Sequence, residues 1–250
     1  MSRTTIIEFL GVTKQFPNGM KALRALDLQI FQGETLALIG ESGSGKTTLL
    51  RMCNRLEHPT SGEIRIHDRP LDQEDPIRLR RGIGYVQQDG GLLPHWTVEQ
   101  NIHLVPRLLG WDRQRMSDRA TELLELVGLD VQQHRTRYPI QLSGGQRQRI
   151  AFARALAADP EMILLDEPFG ALDALTRHDL QNQFLDLKRR LHKTMIFVTH
   201  DVDEAIRLGD RIGVMKTGQL LQVGKPDELI HHPSDPYVMQ LLNHRTRLDL

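Results

Sequence analysis

The chain has 250 residues, with 32 Lys plus Arg against 32 Asp plus Glu. That is ample length for a large α/β domain with an inserted subdomain, and it leaves no net field to recruit a nucleic acid or an anionic membrane. A single cysteine, Cys53, excludes an intrachain disulfide and a cysteine-rich zinc site and fits a reducing compartment, with packing as its role. No apolar run approaches the roughly 18 to 20 residues that cross a bilayer. Residues 1–15, with Arg3, Glu8 and Lys14 around a short apolar patch, lack the pattern of a signal peptide. The expectation is a soluble cytoplasmic chain that reaches a membrane only through a partner.

Ile6-Ile7-Glu8-Phe9-Leu10 and Leu26-Asp27-Leu28-Gln29-Ile30 read as partly alternating strands around the turn Pro17-Asn18-Gly19, predicting a small antiparallel layer. Phe16, before that turn, offers a face on which a base can stack, with internal packing as a slightly weaker alternative. The apolar run Leu36-Ala37-Leu38-Ile39 then leads into Gly40-Glu41-Ser42-Gly43-Ser44-Gly45-Lys46-Thr47, and Thr48-Leu49-Leu50-Arg51-Met52 leads out. This is G-x-x-x-x-G-K-[ST] between a buried strand and a helix, the setting the phosphate loop requires. Its glycines let the backbone curl around an anion so that amides point at phosphates. Lys46 would reach the β- and γ-phosphates and the Thr47 hydroxyl a magnesium ion. A glycine-serine turn without chemistry is the alternative, and the strand-to-helix context weighs against it.

Beyond the loop, Glu63-Ile64-Arg65-Ile66 and Ile83-Gly84-Tyr85-Val86 read as strands, the second ending at Gln87-Gln88, where α/β proteins collect ligands. Nothing local separates that role from an ordinary surface glutamine. From Gly90 to Pro139 helices replace strands: Val98–Leu109 is predicted as one and Ser117–Val127 as another, with Ser117 as its N-cap. Leu142-Ser143-Gly144-Gly145-Gln146 precedes an alanine-rich helix over 147–158, with Ser143 placed to cap it and two glycines leaving amides uncovered. A plain capped helix is the alternative.

Met162-Ile163-Leu164-Leu165 reads as a fully buried strand ending in Asp166-Glu167, whose carboxylates would project to opposite faces. Asp166 would hold the magnesium shell and Glu167 the attacking water, against a helix cap as the alternative. Thr194 to Thr199 is another buried strand and delivers His200, set apart from the other histidines by its place at a strand end. Ile212-Gly213-Val214-Met215 and Gln219-Leu220-Leu221-Gln222-Val223 form a hairpin around Lys216-Thr217-Gly218. Residues 226–250 read as a short helical tail. The basic cluster Lys188-Arg189-Arg190 reads as a solvated helix face, and no nucleic-acid partner is expected.

With these motifs in this order, the chain resembles the nucleotide-binding subunit of an ATP-binding cassette transporter over nearly its whole length. The resemblance implies an α/β P-loop NTPase core with a RecA-like parallel sheet, an N-terminal antiparallel β layer and an inserted helical subdomain. The core would comprise 1–89 and 155–225, the helical signature subdomain 90–154, and the tail 226–250. Phe16 matches the adenine-stacking aromatic and residues 40 to 47 the Walker A loop, with Thr48 beside it among the nucleotide-binding positions. Gln88 matches the glutamine loop and the magnesium shell, on the Tyr-Val-x-Gln spacing that prefers it to Gln87. Ser143, Gly144, Gly145 and Gln146 match the signature, Asp166 and Glu167 the Walker B pair, Ala171-Leu172-Asp173 the D-loop, and His200 the switch histidine. ATP and Mg2+ are the implied substrate and cofactor, with Glu167, His200, Gln88 and Lys46 as catalytic residues.

The family pairs two cassettes head to tail, each ATP lying between the Walker A loop of one and the signature of the other. The implied partners are therefore a second cassette, membrane-embedded permease subunits and, indirectly, a solute-binding protein, at the cytoplasmic face of the membrane. Asp166-Glu167-Pro168-Phe169-Gly170-Ala171-Leu172-Asp173 is similar to importers, where lipoprotein-extracting exporters more often carry Pro-Thr-Gly-Asn-Leu-Asp. Leu92-Leu93-Pro94-His95-Trp96-Thr97-Val98-Glu99-Gln100-Asn101-Ile102, followed by Val105-Pro106 and Leu108-Leu109-Gly110-Trp111, resembles the branch that imports glycine betaine, choline or carnitine. Many of that branch carry C-terminal regulatory domains, and for want of one within these residues amino-acid importers stay open. Soluble cassette ATPases acting on ribosomes or DNA usually hold two cassettes, long coiled coils or zinc modules, none of which is read here. Leu92, Leu93, Pro94 and Trp96 form an apolar patch where the family grips a permease, or one buried under the helical insertion.

Overall fold

The computed structural model describes residues 4–170 and 172–243. The chain divides into two compact units, one built from the chain up to Leu79 together with the chain from Lys193 onward, the other from Arg80–His192.

In the first unit, β1 (Thr5–Gln15) and β2 (Lys21–Phe31) pair antiparallel, and β1 also pairs with a later strand, β4. Both run longer than the predicted strands because the pattern bends at Gly11 (φ +57), whose amide donates to Asp27 Oδ1 at 2.7 Å, and pairing resumes beyond. β3 (Thr35–Ile39) is buried at every position, as an apolar run without alternation requires. The phosphate loop follows, then α1 (Lys46–Cys53), β4 (Ser61–Ile66) and the short β5 (Arg69–Pro70), which closes an antiparallel sheet in the order β2-β1-β4-β5. Cys53 is buried on α1, and burial pushes its thiol up to about 12, so it stays unreactive and packs.

The chain passes through α2 (Pro76–Arg81) into β6 (Ile83–Val86) of the second unit. The predicted helix over 98–109 is two, α3 (Val98–Ile102) and α4 (Leu104–Leu108). Pro106 has no N–H for the Ile102 carbonyl, so the ladder breaks at His103. The next helix, α5 (Arg113–Leu126), begins earlier than predicted. Its N-cap is Asp112, whose carboxylate accepts the Arg115 amide at 2.9 Å, whereas Ser117 Oγ accepts from Arg135 Nη2 at 2.7 Å. α6 (Val131–His134) and α7 (Gly144–Leu156) complete a run of helices with no intervening strand, and β7 (Met162–Asp166) pairs parallel with β6, Ile83 against Met162 and Val86 against Leu165. α8 (Ala174–Leu191) follows, and Phe152 of α7, Phe169 and Phe184 of α8 cluster with ring centroids 5.8 to 6.4 Å apart.

The first unit resumes with β8 (Thr194–Val198), α9 (Val202–Leu208), β9 (Arg211–Lys216) and β10 (Gln219–Gly224). β3 pairs parallel with both β8 and β9, and β9 with β10 forms the hairpin predicted around Lys216-Thr217-Gly218. Thr217 and Gly218 both take positive φ, the geometry of a tight hairpin turn. α10 (Pro226–His231) and α11 (Pro236–Asn243) end the described chain. Parallel buried strands joined through helices, beside a separate antiparallel layer, are the expected α/β architecture.

Candidate functional site

The phosphate loop, in the first unit, connects β3 to α1. Gly40 (φ +145) admits no side chain, since a Cβ there would lie 2.0 Å from the Met215 carbonyl oxygen; one on Gly45 (φ +103) would lie 2.4 Å from that of Ala22. Glycine is thus enforced by close backbone approach as well as by torsion. No side chain caps the first turn of α1, which leaves its amides to an anion. Lys46 is buried and its ammonium folds back on the loop, donating to Gly40 O and Glu41 O, both at 2.8 Å, and to Ser44 Oγ at 3.3 Å. The loop is held from outside by Gly218 N, which donates to Ser44 O at 3.0 Å, and by Tyr237 OH, which accepts the Glu41 amide at 3.2 Å. Glu41, Ser42 and Gly43 face solvent, while Thr47 and Thr48 are half-buried.

The same unit carries two further candidates. His200 is exposed at the end of β8, on a turn fixed by Asp201 N donating to Thr199 Oγ1 at 3.0 Å and by Asp201 Oδ1 capping α9. Phe16 is half-buried between β1 and β2; its amide donates to Met20 O at 2.9 Å, and Lys14 Nζ stands 5.1 Å from its ring centre.

The second unit holds the acidic pair. Asp166 closes β7 and is 8% exposed, accepting from Tyr85 OH at 3.4 Å. Glu167 leaves the strand geometry at φ +47, a left-handed conformation that an unbranched residue adopts at a cost of about 1 to 3 kcal/mol. The two carboxylates therefore separate through a backbone turn instead of strand alternation. Gly170 N donates to Glu167 O at 3.2 Å, closing that turn. Gln88 Nε2 donates to Glu167 Oε2 at 3.2 Å, while Gln87 packs against Gly91. Gln88, Asp166 and Glu167 thus meet at the ends of β6 and β7.

Ser143 caps α7 with a capping box: its hydroxyl oxygen accepts the Gln146 amide at 3.2 Å and the Gln146 Oε1 accepts the Ser143 amide at 3.0 Å. Gln146 also sets Nε2 3.3 Å from His134 Nε2. Gly145 is buried against Thr176, where a Cβ would lie 2.5 Å from that side chain, and Gly144 is half-buried. Asp173 caps α8 through the Thr176 amide at 3.0 Å, and those bonds from Thr176 hold its carboxyl below the usual range. Ala171 lies outside the described residues, as does the end of the tail read over 226–250.

Four contributors escape sequence reasoning. Tyr85 and Tyr237 reach Asp166 and the phosphate loop as just given. Arg154 of α7 donates to Gly90 O at 2.8 Å and Gly91 O at 2.7 Å, fixing the segment after Gln88, and burial lowers its pKa. Asn101 holds the following loop through Leu93 O, Trp96 O and Thr97 O, at 3.0 to 3.2 Å. Leu92, Leu93 and Trp96 on that loop are half-buried and Pro94 is exposed, between the two expectations for the patch.

A glycine-lined anion cradle with an inward lysine, a capped Ser-Gly-Gly helix start and a strand-end carboxylate pair define a class of nucleotide-binding ATPase. The model of the ABC transporter family matches residues 23–170, and the chain belongs to that family. It is 51% identical over 231 residues to the glycine betaine/carnitine/choline transport ATP-binding protein OpuCA of Bacillus subtilis (strain 168), covering 92% of this chain and 60% of that protein. It is 48% identical over 237 residues to the osmoprotectant import ATP-binding protein OsmV of Salmonella typhimurium, covering 93% and 62%. For the glycine betaine uptake system ATP-binding protein YehX of Escherichia coli K12, identity is 47%, over 94% of this chain and 76% of that one. The chain spans about 60% of the length of the first of these relatives. Among solved structures, cbiO1 of Clostridium perfringens, part of the ABC transporter complex cbiONQ, matches with a TM-score of 0.82 at 28% identity over 90% of each chain. The ATP-binding cassette MJ0796, a dimer bound to ADP and Pi, matches with 0.78 at 35% identity, over 88% of this chain and 99% of that one.

Proposed function

We propose that the chain is the ATP-binding and hydrolysing subunit of an importer for a quaternary-amine osmoprotectant such as glycine betaine, choline or carnitine. The observation that carries this reading is identity near 50%, over more than nine-tenths of the chain, to ATP-binding proteins named for transport of those solutes. Each site residue then has a task. Phe16 stacks on adenine. The loop amides and the α1 N-terminus cradle the phosphates, and Lys46 exchanges its loop carbonyls for β- and γ-phosphate oxygens. The Thr47 hydroxyl, the Asp166 carboxylate and the Gln88 amide oxygen are hard oxygen donors suited to Mg2+, which when bound neutralises phosphate charge. Glu167 takes a proton from the water whose oxygen attacks the γ-phosphorus; ADP leaves, and His200 donates to the departing phosphate.

Two copies pair head to tail in this proposal. The Ser143 oxygen already accepts the Gln146 amide, which leaves the hydroxyl hydrogen for a γ-phosphate oxygen of the partner's ATP, with Gly144 and Gly145 amides beside it. Asp173 lies along the same interface. Binding closes the pair and hydrolysis reopens it, driving a permease gripped by the loop around Trp96 at the cytoplasmic face, with a solute-binding protein delivering cargo. Among the described residues no helix is long and apolar enough to cross a membrane, in keeping with a separate permease.

The test is co-purification of the tagged chain from gently solubilised membranes without ATP. A multi-span permease and a solute-binding protein that takes up labelled betaine, choline or carnitine support the proposal. Recovery of ribosomes, DNA or soluble proteins alone overturns transport and leaves the ATPase chemistry standing.

A further inference from the structure

The phosphate loop is fixed on one side by a residue far away in sequence. Tyr237, in the first turn of α11, accepts the Glu41 amide at 3.2 Å across a separation of 196 residues. The carbonyl of Glu41 accepts the Ser44 amide at 3.2 Å and the Lys46 ammonium at 2.8 Å. Both backbone polar groups of Glu41 are therefore engaged, and its N–H points out of the cradle toward α11. The residue whose amide Tyr237 holds is also one that supplies the resting ligands of the phosphate-binding lysine.

The tyrosine is itself held in place. Asp235 Oδ1 accepts the Tyr237 amide at 2.7 Å and Asp235 O accepts that of Met239 at 3.1 Å, so Asp235 sets the first turn of α11. The segment before it is clamped to β10 by Gln222, whose Nε2 donates to His232 O at 3.0 Å and whose Oε1 accepts the Ser234 amide at 2.8 Å. Lys216, in the hairpin next to Met215, stands 4.2 Å from the Tyr237 ring centre, a cation–π contact that fixes the ring plane. Burial raises the phenol's pKa, so the hydroxyl stays neutral and accepts from an amide.

We propose that Tyr237 is a positioning residue of the nucleotide site: by holding the Glu41 amide it fixes the entry to the phosphate loop and so sets its affinity for nucleotide. The proposal rests on the reading of residues 40–47 as a nucleotide site and adds to it a route from α11 to that site. Removing the hydroxyl frees the Glu41 peptide to rotate, and the loop must then be reordered by the incoming phosphates. One neutral hydrogen bond corresponds to a loss of roughly 3- to 10-fold in affinity.

The test uses the full chain and Mg-ATP and Mg-ADP as probes, with Tyr237→Phe, Tyr237→Ala, Gln222→Ala and Lys46→Ala compared with wild type. Tyr237→Phe keeps the ring under Lys216 and removes only the hydroxyl. The expected result is a 3- to 10-fold rise in Kd and KM, kcat within about twofold, and unchanged thermal unfolding without nucleotide. Gln222→Ala should move affinity in the same direction by less, although it touches no part of the loop. Wild-type affinity in Tyr237→Phe overturns the proposal while leaving the nucleotide site standing. A Tyr237→Phe loss matched by an equal fall in nucleotide-free stability overturns it too, since the hydroxyl is then only structural. If wild type and Lys46→Ala are alike in failing to bind nucleotide, the site reading and this inference fall together.

Discussion

The phosphate loop and the acidic corner at Asp166-Glu167 are held in opposite ways. In the loop, the ammonium of Lys46, both backbone polar groups of Glu41 and the Ser44 carbonyl are engaged, and Gly40 and Gly45 leave no space for a methyl group. At the corner, Asp166 is buried but Glu167 sits on a left-handed turn and receives a 3.2 Å bond from Gln88, an exposed side chain free to rotate away. On the proposed function, the difference assigns rigidity to recognition and freedom to chemistry. A phosphate cradle gains by being formed before its ligand arrives, because ordering is then not charged against binding. A general base gains by waiting in a resting bond that ligand arrival replaces.

The largest expected effect tests the corner. Glu167→Gln keeps the shape and the capacity to hydrogen-bond to Gln88 but cannot take a proton, so steady-state ATP turnover should fall about 10²- to 10⁴-fold. ATP binding should persist, trapping a closed pair by size-exclusion chromatography. Loss of affinity alongside turnover would erase the division between recognition and chemistry. Next come Gly40→Ala and Lys46→Ala, read by nucleotide titration. The first drives a methyl group into the Met215 carbonyl at a torsion reserved for glycine, and the second removes charge-assisted bonds. Each should weaken binding by roughly 10- to 100-fold. Gly40→Ala binding like wild type would show the loop to be far softer than its contacts indicate. Smaller again is Ser143→Ala, which removes the α7 cap and should lower stability by about 1 kcal/mol in thermal or denaturant unfolding.

The same contrast explains what the sequence made legible. The phosphate loop, the Ser143 cap and the hairpin turn at Lys216-Thr217-Gly218 are local, each written in a few adjacent residues whose torsional demands are known, and all three have the geometry read from them. The buried strands β3, β7 and β8 were legible for the same reason, as uninterrupted apolar runs. Reading fell short where a local rule met a competitor. Ser117 is a good cap, but Asp112 is an equally good one four residues before Met116, and α5 starts there while Ser117 Oγ accepts from Arg135. Pro106 was visible, yet its consequence at His103 depends on which carbonyl loses a donor. Strand alternation predicted the directions of Asp166 and Glu167 and was overridden by the turn at Glu167. Tyr237 could not have been found at all: its partner is an amide 196 residues away, and a tyrosine in an apolar helix carries no mark of that role.

The smallest effect concerns pH and belongs to the second unit. Arg135 on the far side of α6 bonds to Glu99 of α3, and that bond holds the Glu99 carboxyl below its ordinary 4.5. His103, with Nε2 2.9 Å from Met116 O and 3.7 Å from Glu99 Oε1, is kept below its ordinary 6.5 chiefly by burial, with Arg135 and Arg107 adding to it and Glu99 opposing. Both folded values are depressed, so in each case the unfolded chain binds the proton more readily and stability falls as the pH falls. The contribution of His103 is complete above pH 6.5 and drains away below it, and that of Glu99 is complete above pH 4.5 and drains away below that. Thermal unfolding between pH 7.5 and pH 3.5 should therefore decline in two steps. His103→Gln should flatten chiefly the upper step, whereas Arg135→Gln should flatten the lower step, reduce the upper one because Arg135 helps depress His103, and lower the neutral plateau, because it takes the partner from Glu99 and from Ser117 Oγ. A His103→Gln profile that still falls between pH 6.5 and pH 4.5 would move the titrating group elsewhere.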